Sequence, residues 1–224
     1  FIKRPQQQES IRNITDMLRV YWAPLKDFIQ RPYAWLILVF IFTFYLGESL
    51  IGKFANIFYK ELGFTLVQIT QVSKLFGVGV VILSSMTVGI LVRRYGLGPV
   101  LLFSTLFHVA SNGMFLVLNA YGAHIPLLYV SIILENSSTG IMVGAFVGLL
   151  SSLCNKQFSA AQYALLTSFS SLPKKFIPAL GGQIADLYGW NSLFMLSILA
   201  TLPAILLLIF ILRLPQFKWL YKTA

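Results

Sequence analysis

Six apolar stretches, each long enough to cross a membrane, govern what this chain can fold into. They run roughly Tyr33–Tyr59, Leu66–Val92, Gly98–Ala120, Ile125–Leu153, Ser159–Leu187 and Trp190–Leu214. Each exceeds the about 20 residues a helix needs to span about 30 Å of hydrocarbon. Lipid offers a backbone N–H or C=O no partner, so every stretch is expected to be helical. The turns between them are short and carry breakers, "KELGFT", "RRYGLG", "NAYGAH", "CNKQFSA" and "DLYG". Short turns make consecutive helices antiparallel neighbours. Only 11% of the residues are charged, against about 25% in a soluble domain, too few to cover a water-soluble globule. The expected fold class is therefore all-α, a polytopic membrane protein built as a six-transmembrane-helix bundle.

Charge on the turns gives direction. Lys3, Arg4, Arg12, Arg19, Lys26, Arg31, Arg93, Arg94, Lys156, Arg213, Lys218 and Lys222 fall on one side, and only Lys60 falls on the turns of the other. The positive-inside rule then predicts that both termini of this segment are cytoplasmic. The net charge of +10 reads as a topology signal with affinity for anionic lipid. No basic motif interleaved with aromatics suggests a nucleic-acid partner. Residues 1–32 are expected to form a cytoplasmic linker. Within it Ile11, Ile14, Met17, Leu18, Tyr21, Trp22, Leu25, Phe28 and Ile29 give an amphipathic interfacial helix, bent at Pro24. Residues 33–214 form the bundle and 215–224 a cytoplasmic tail. The start at Phe1 reads as a cut edge or internal start, so an upstream segment is expected. The single Cys154 excludes an internal disulfide. No metal or cofactor is called for, and no zinc, nucleotide or nucleophile signature supports an enzyme.

Six ionisable residues lie inside the spans: Glu48, Lys53, Lys74, Glu135, Lys174 and Lys175. Facing lipid they would cost roughly 15–21 kcal/mol at about 2.5–3.5 each, more than the net stability of about 5–15 kcal/mol of a typical fold. Most must therefore face one another, water or the bundle interior. Glu48, Glu135, Lys174 and Lys175 fall near the midplane, Lys53 and Lys74 in the outer half. The local excess of positive charge suits an anionic or zwitterionic solute, and the carboxyls of Glu48 and Glu135 suit a solute or proton path. Lys53 and Lys74 have the alternative of snorkelling to headgroups. Adjacent Lys174 and Lys175 point about 100° apart, so one is expected to be structural.

Helical spacing puts Tyr45, Glu48, Gly52 and Asn56 on one face of the first span, and Gln68, Gln71 and Lys74 on one face of the second. Ser104, His108 and Ser111 line up on the third, where His108 with Ser104 reads as an interhelical contact. Pro173 and Pro178 should break or kink the fifth span, and interrupted helices at membrane depth expose backbone to a transported solute. In the fourth, Asn136, Gly140, Gly144 and Gly148 recur every four residues, a small-residue stripe that lets a neighbouring helix approach closely. Glu135 sits beside that stripe.

These residues carry a resemblance. "GILVRRYG" (Gly89–Gly96) resembles the glycine–arginine turn between the second and third helices of each half in the major facilitator superfamily, with Arg93 and Arg94 together where the family carries an acid before an arginine. "LENSSTGIMVGAFVGLLSSLCNKQFSAAQYALLTSFSSLP" (Leu134–Pro173) and "FYLGESLIGKF" (Phe44–Phe54) resemble the AmpG-type muropeptide permeases. That likeness covers Tyr33 to Leu214 as the carboxyl-terminal half of a twelve-helix permease. It implies proton-driven import of anhydro-muropeptides across the bacterial inner membrane and a missing amino-terminal six-helix half; the buried charges themselves suggest contacts to the solute from Glu48, Lys53, Lys74, Glu135, Asn136 and Lys174 or Lys175. Acetyl-CoA transporters share parts of the pattern. A homodimeric six-helix transporter, or a non-transporting sensor, scaffold or decayed remnant, are the other readings left open.

Overall fold

The computed structural model describes residues 14–221. Helix α1 covers Ile14–Ile29 and keeps Pro24 inside it. The first span, Ala34–Glu61, is built from three pieces: α2 (Ala34–Phe44), α3 (Leu46–Ile51) and α4 (Ala55–Glu61). The second, Leu66–Tyr95, joins α5 (Leu66–Thr70) to α6 (Val78–Tyr95) through a π-helical segment, Gln71–Gly77. The third and fourth are the unbroken α7 (Leu97–Tyr121) and α8 (Ile125–Leu153). A continuous helical stretch of 55 residues, Ser159–Arg213, follows. It comprises α9 (Ser159–Ser170) and α10 (Leu172–Arg213).

Fifty-five residues of straight helix would measure about 80 Å, far more than the membrane's hydrocarbon core. The chain instead reverses at Gly189, whose φ of 80° and ψ of 169° are not helical. Both sides of that glycine return to the same part of the first span. Gly181 lies against the Leu50 carbonyl and the Phe54 ring, while Gly47 lies against Ser197 and Thr201. On a straight helix residues 181 and 201 would be about 30 Å apart. The stretch is therefore two spans, 159–188 and 190–213, and the bundle has six. A left-handed φ is cheap only for glycine, which is why the reversal falls in "DLYG".

The other expectations need adjusting in detail. The second span runs on to Tyr95 and the third starts at Leu97, because Gly96 (φ 84°) makes the whole turn. Pro24 does not interrupt α1. In that helix Trp22 and Ile29 are exposed while Phe28 is buried; Ile11 lies outside the described residues. The tail is not free: Pro215–Tyr221 form a 3₁₀ helix whose Phe217 and Leu220 are buried. Leu220 packs against Gly96 and Gly98, and the Phe217 ring meets Tyr33 edge-on at 6.3 Å.

Two apolar cores fill the bundle. One, toward the end that carries Arg31, Arg94 and Arg213, gathers Phe40, Phe44, Leu101, Phe146, Leu208 and Leu220. The other is aromatic and lies toward the opposite end, where Phe58, Phe115 and Phe194 pack with centroids 4.8–6.1 Å apart. The glycine stripe of α8 sets one helix crossing. A Cβ at Gly140 would lie 2.6 Å from the Val81 carbonyl, and one at Gly144 2.8 Å from Val88, so α6 and α8 touch nearly backbone to backbone. The exposed faces of α7 (Phe103, Leu106, Val117) and of the last span (Met195, Leu199, Leu206, Phe210) carry large apolar side chains, as a surface in lipid requires.

Candidate functional site

The chain breaks twice where charge is brought together. Tyr45 interrupts the first span before α3, and Ser171 separates α9 from α10. Pro173 follows in the first turn of α10, where its missing N–H removes no helical hydrogen bond. Lys174 is the next residue. Its Nζ lies 3.3 Å from Glu48 Oε2 and 3.6 Å from the centroid of the buried Tyr45 ring. Tyr45 and Glu48 are three apart and so face the lysine together, one giving a negative ring face and the other a full charge. The Lys174 side chain is 41% exposed and that of Glu48 20%. Glu48 Oε2 is buried and takes no hydrogen bond, so its contact with Lys174 is ionic without hydrogen-bond geometry. The break at Ser171 matches the proline-based expectation. The breaks in the first span had no proline to announce them, and the face shared by Tyr45, Glu48, Gly52 and Asn56 is not a continuous helical one.

Glu135 lies one helix away on unbroken α8. Tyr59 donates its hydroxyl to Glu135 Oε2 at 3.3 Å. Among the described residues Glu135 has no cationic partner within ion-pair distance. Below it a buried polar belt joins three spans. Ser138 donates to the Glu135 carbonyl at 2.9 Å and meets Ser111 at 3.1 Å, and Asn112 donates to Ser197 at 3.3 Å. His108 is 3% exposed, bonds only Asn112 of its own helix, and leaves Nδ1 without a partner. The interhelical contacts expected of His108 and Ser104 are thus made by Ser111 and Asn112.

Asn136 donates to the Ile132 carbonyl one turn back, and its amide fills the space over Gly77. Gly77 closes the π-helical segment that also holds the exposed Lys74. Such bulges cluster at functional sites, and nothing in the residue pattern announced this one. Lys53, in the Gly52–Phe54 turn, and Lys175 are also exposed and form no ion pair. Of the six in-span charges, direct contact among the described residues joins only Glu48 with Lys174.

A second polar cluster escaped the sequence reading. Asp27 on α1 and Arg31, two residues past its end, meet at 2.6 Å. The missing member is Gln162, 1% exposed on α9. Its Nε2 donates to Asp27 Oδ2 at 2.7 Å and to the Pro24 carbonyl at 3.1 Å, while its Oε1 accepts from the Asn155 backbone N–H at 2.7 Å. Arg31 also donates to the Leu153 carbonyl that ends α8. The hydrogen bonds from Arg31 and Gln162 hold the Asp27 carboxyl below its ordinary value of 3.8. Three separate segments are tied at one end of the bundle.

Comparison with known proteins places this geometry. The model of the Major Facilitator Superfamily matches residues 37–220. A Rickettsia conorii protein named AmpG 4 is 32% identical over 92% of this chain and 50% of its own length. Its Rickettsia felis counterpart is 32% identical over 94% of the chain and 52% of its own. The anhydromuropeptide permease of Escherichia coli K12 is 32% identical over 84% of the chain and 38% of its own. The chain thus spans about half the length, or less, of the curated relatives it matches.

Proposed function

The chain belongs to the Major Facilitator Superfamily, and from that premise we propose that it forms half of a secondary transporter of anhydro-muropeptides, working in the bacterial inner membrane with both termini of this segment cytoplasmic. The solute class comes from the relatives' names and from chemistry that suits it: a muropeptide presents peptide carboxylates and sugar hydroxyls. The observation that carries the reading is Lys174, half-exposed between Glu48 and the Tyr45 ring beside two helix breaks. An ammonium already paired can pass from one carboxylate to another without ever standing alone in a low dielectric, which is the costly state. A solute carboxylate would take Glu48's place on Lys174. The closing and opening of the two halves would then follow whether Lys174 holds the solute or Glu48.

Proton coupling falls to Glu135. With one hydrogen bond from Tyr59 and no cation beside it, it can gain or lose a proton without breaking an ion pair. Lys53, Lys74, Asn136 and Lys175 are assigned further polar contacts with the solute in this reading. The half of the fold outside this chain would complete the cavity.

The test is uptake of labelled anhydro-muropeptide by the full-length protein in proteoliposomes, with and without an imposed pH gradient. Glu135→Gln should lose gradient-driven accumulation while keeping solute exchange at zero gradient. Gradient-driven accumulation at the wild-type level in that variant removes Glu135 from the coupling.

A further inference from the structure

The transport reading makes no use of a groove at the basic end of the second and third spans. Gly96 turns α6 directly into α7, so the two helices meet as a V that opens outward. Leu91 and Tyr95 from α6 and Pro99, Val100 and Phe103 from α7 line a cavity of about 300 Å³ between them. The lining is apolar, and Tyr95 and Phe103 are each 51% exposed. Arg94 follows Leu91 by three residues on α6 and precedes Tyr95 directly, and its guanidinium lies 5.3 Å from the centre of the Tyr95 ring. Arg94 and its neighbour Arg93 are exposed and form no ion pair with any described residue.

We propose that this groove is a binding site for a phospholipid with an anionic headgroup, its acyl chain between α6 and α7 and its phosphate on Arg94. Several observations select that occupant. Phe103, which lines the groove, belongs to the apolar exposed face of α7, and the groove lies at the arginine-bearing end of both spans. An aromatic ring at such an end is the usual anchor of a membrane interface. Arginine offers a planar fork that matches a phosphate bidentately. The Tyr95 ring beside the Arg94 guanidinium is itself part of the groove's lining. Charge selects the headgroup: two arginines with no acid to neutralise them favour a net negative lipid over a zwitterionic one, and such basic recesses between helices are suited to it. The apolar walls select a lipid over a free phosphate. Compare Arg31 at the same end of the bundle, whose charge is already paired with Asp27 and which also donates to Gln162 and the Leu153 carbonyl.

The experiment is native mass spectrometry of the purified protein in detergent, with dioleoyl phosphatidylglycerol, dioleoyl phosphatidylcholine and glycerol 3-phosphate as probes. Wild type should retain phosphatidylglycerol over phosphatidylcholine by about fivefold or more, the effect of roughly one basic residue at an anionic surface. Arg94→Gln should remove that preference, Arg94→Lys should keep most of it, and Arg213→Gln, a basic residue of the same end away from the groove, should leave it intact. Helix content by circular dichroism certifies that each variant is folded. Equal retention by Arg94→Gln and wild type overturns the site. So does loss of the preference in Arg213→Gln to the same degree, which would mean diffuse charge. Displacement of phosphatidylglycerol by an equal concentration of glycerol 3-phosphate would overturn the lipid in favour of a free anion.

Discussion

Two ion pairs, one near the end of the bundle and one inside it, are built in opposite ways. Asp27 on α1 and Arg31 just past its end meet at 2.6 Å, and the polar groups around them are engaged: Gln162, the Asn155 N–H, and the Pro24 and Leu153 carbonyls. Glu48 and Lys174 come from different spans, meet at 3.3 Å, lack hydrogen-bond geometry, and leave the lysine open on one side. The first arrangement is saturated, so exchanging any partner strands another; it behaves as a clasp. The second is under-coordinated: the open side of the lysine leaves room for a competing carboxylate, and the exchange would leave the buried Glu48 oxygen without its cation. Saturation by hydrogen bonds distinguishes the two, and charge alone does not.

That contrast can be broken most directly at Lys174. Lys174→Gln removes a charge-assisted contact worth about 1.5–3 kcal/mol, so uptake by the full-length protein should fall about tenfold to 100-fold. Its thermal midpoint should barely move, since the pair is partly open to water. Wild-type uptake with a lowered midpoint would make the inner pair structural and erase the difference. Gln162→Ala should do the reverse. It strands the Asn155 N–H and Pro24 carbonyl at a cost of about 1–3 kcal/mol, which detergent-solubilised protein reports as a lower midpoint, with uptake per folded molecule unchanged. The smallest effect belongs to Asp27. Its carboxyl titrates below 3.8 because the ionised form is the one that Arg31 and Gln162 hold. The clasp's contribution is therefore constant from neutral pH down to about that value and is lost only as pH falls further. A pair of spin labels on α1 and on the 155–158 turn should keep one distance at pH 7 and 5 and broaden near pH 3. Broadening already at pH 5 would mean that the carboxylate is not held this way. Asp27→Asn should cost no more than about 1 kcal/mol.

Much of this architecture was legible from residues alone. The spans, the turn glycines, the proline-led break before Lys174 and the close approach at Gly140 all follow from local chemistry. The break at Tyr45 was not legible, since apolar residues run through it, and that at Gly52–Phe54 was hidden because Gly52 and Lys53 fit a continuous helical face equally well. Nor was the π-helical segment, where one extra residue per turn leaves no mark on composition. Gln162 read as an ordinary polar residue because its partners lie on α1 and in the turn after α8, far away in sequence.

What the sequence determined by itself is where the chain crosses the membrane and which ends carry charge, because transfer into lipid is a sum of nearly independent contributions along a segment. Only the tertiary structure decided that Lys174 meets Glu48 while Lys53, Lys74 and Lys175 stay open, and that Glu135 answers to Tyr59. Partner choice depends on how each helix is rotated and tilted, and that is fixed by remote contacts such as Gly47 on Thr201 and Gly140 on Val81.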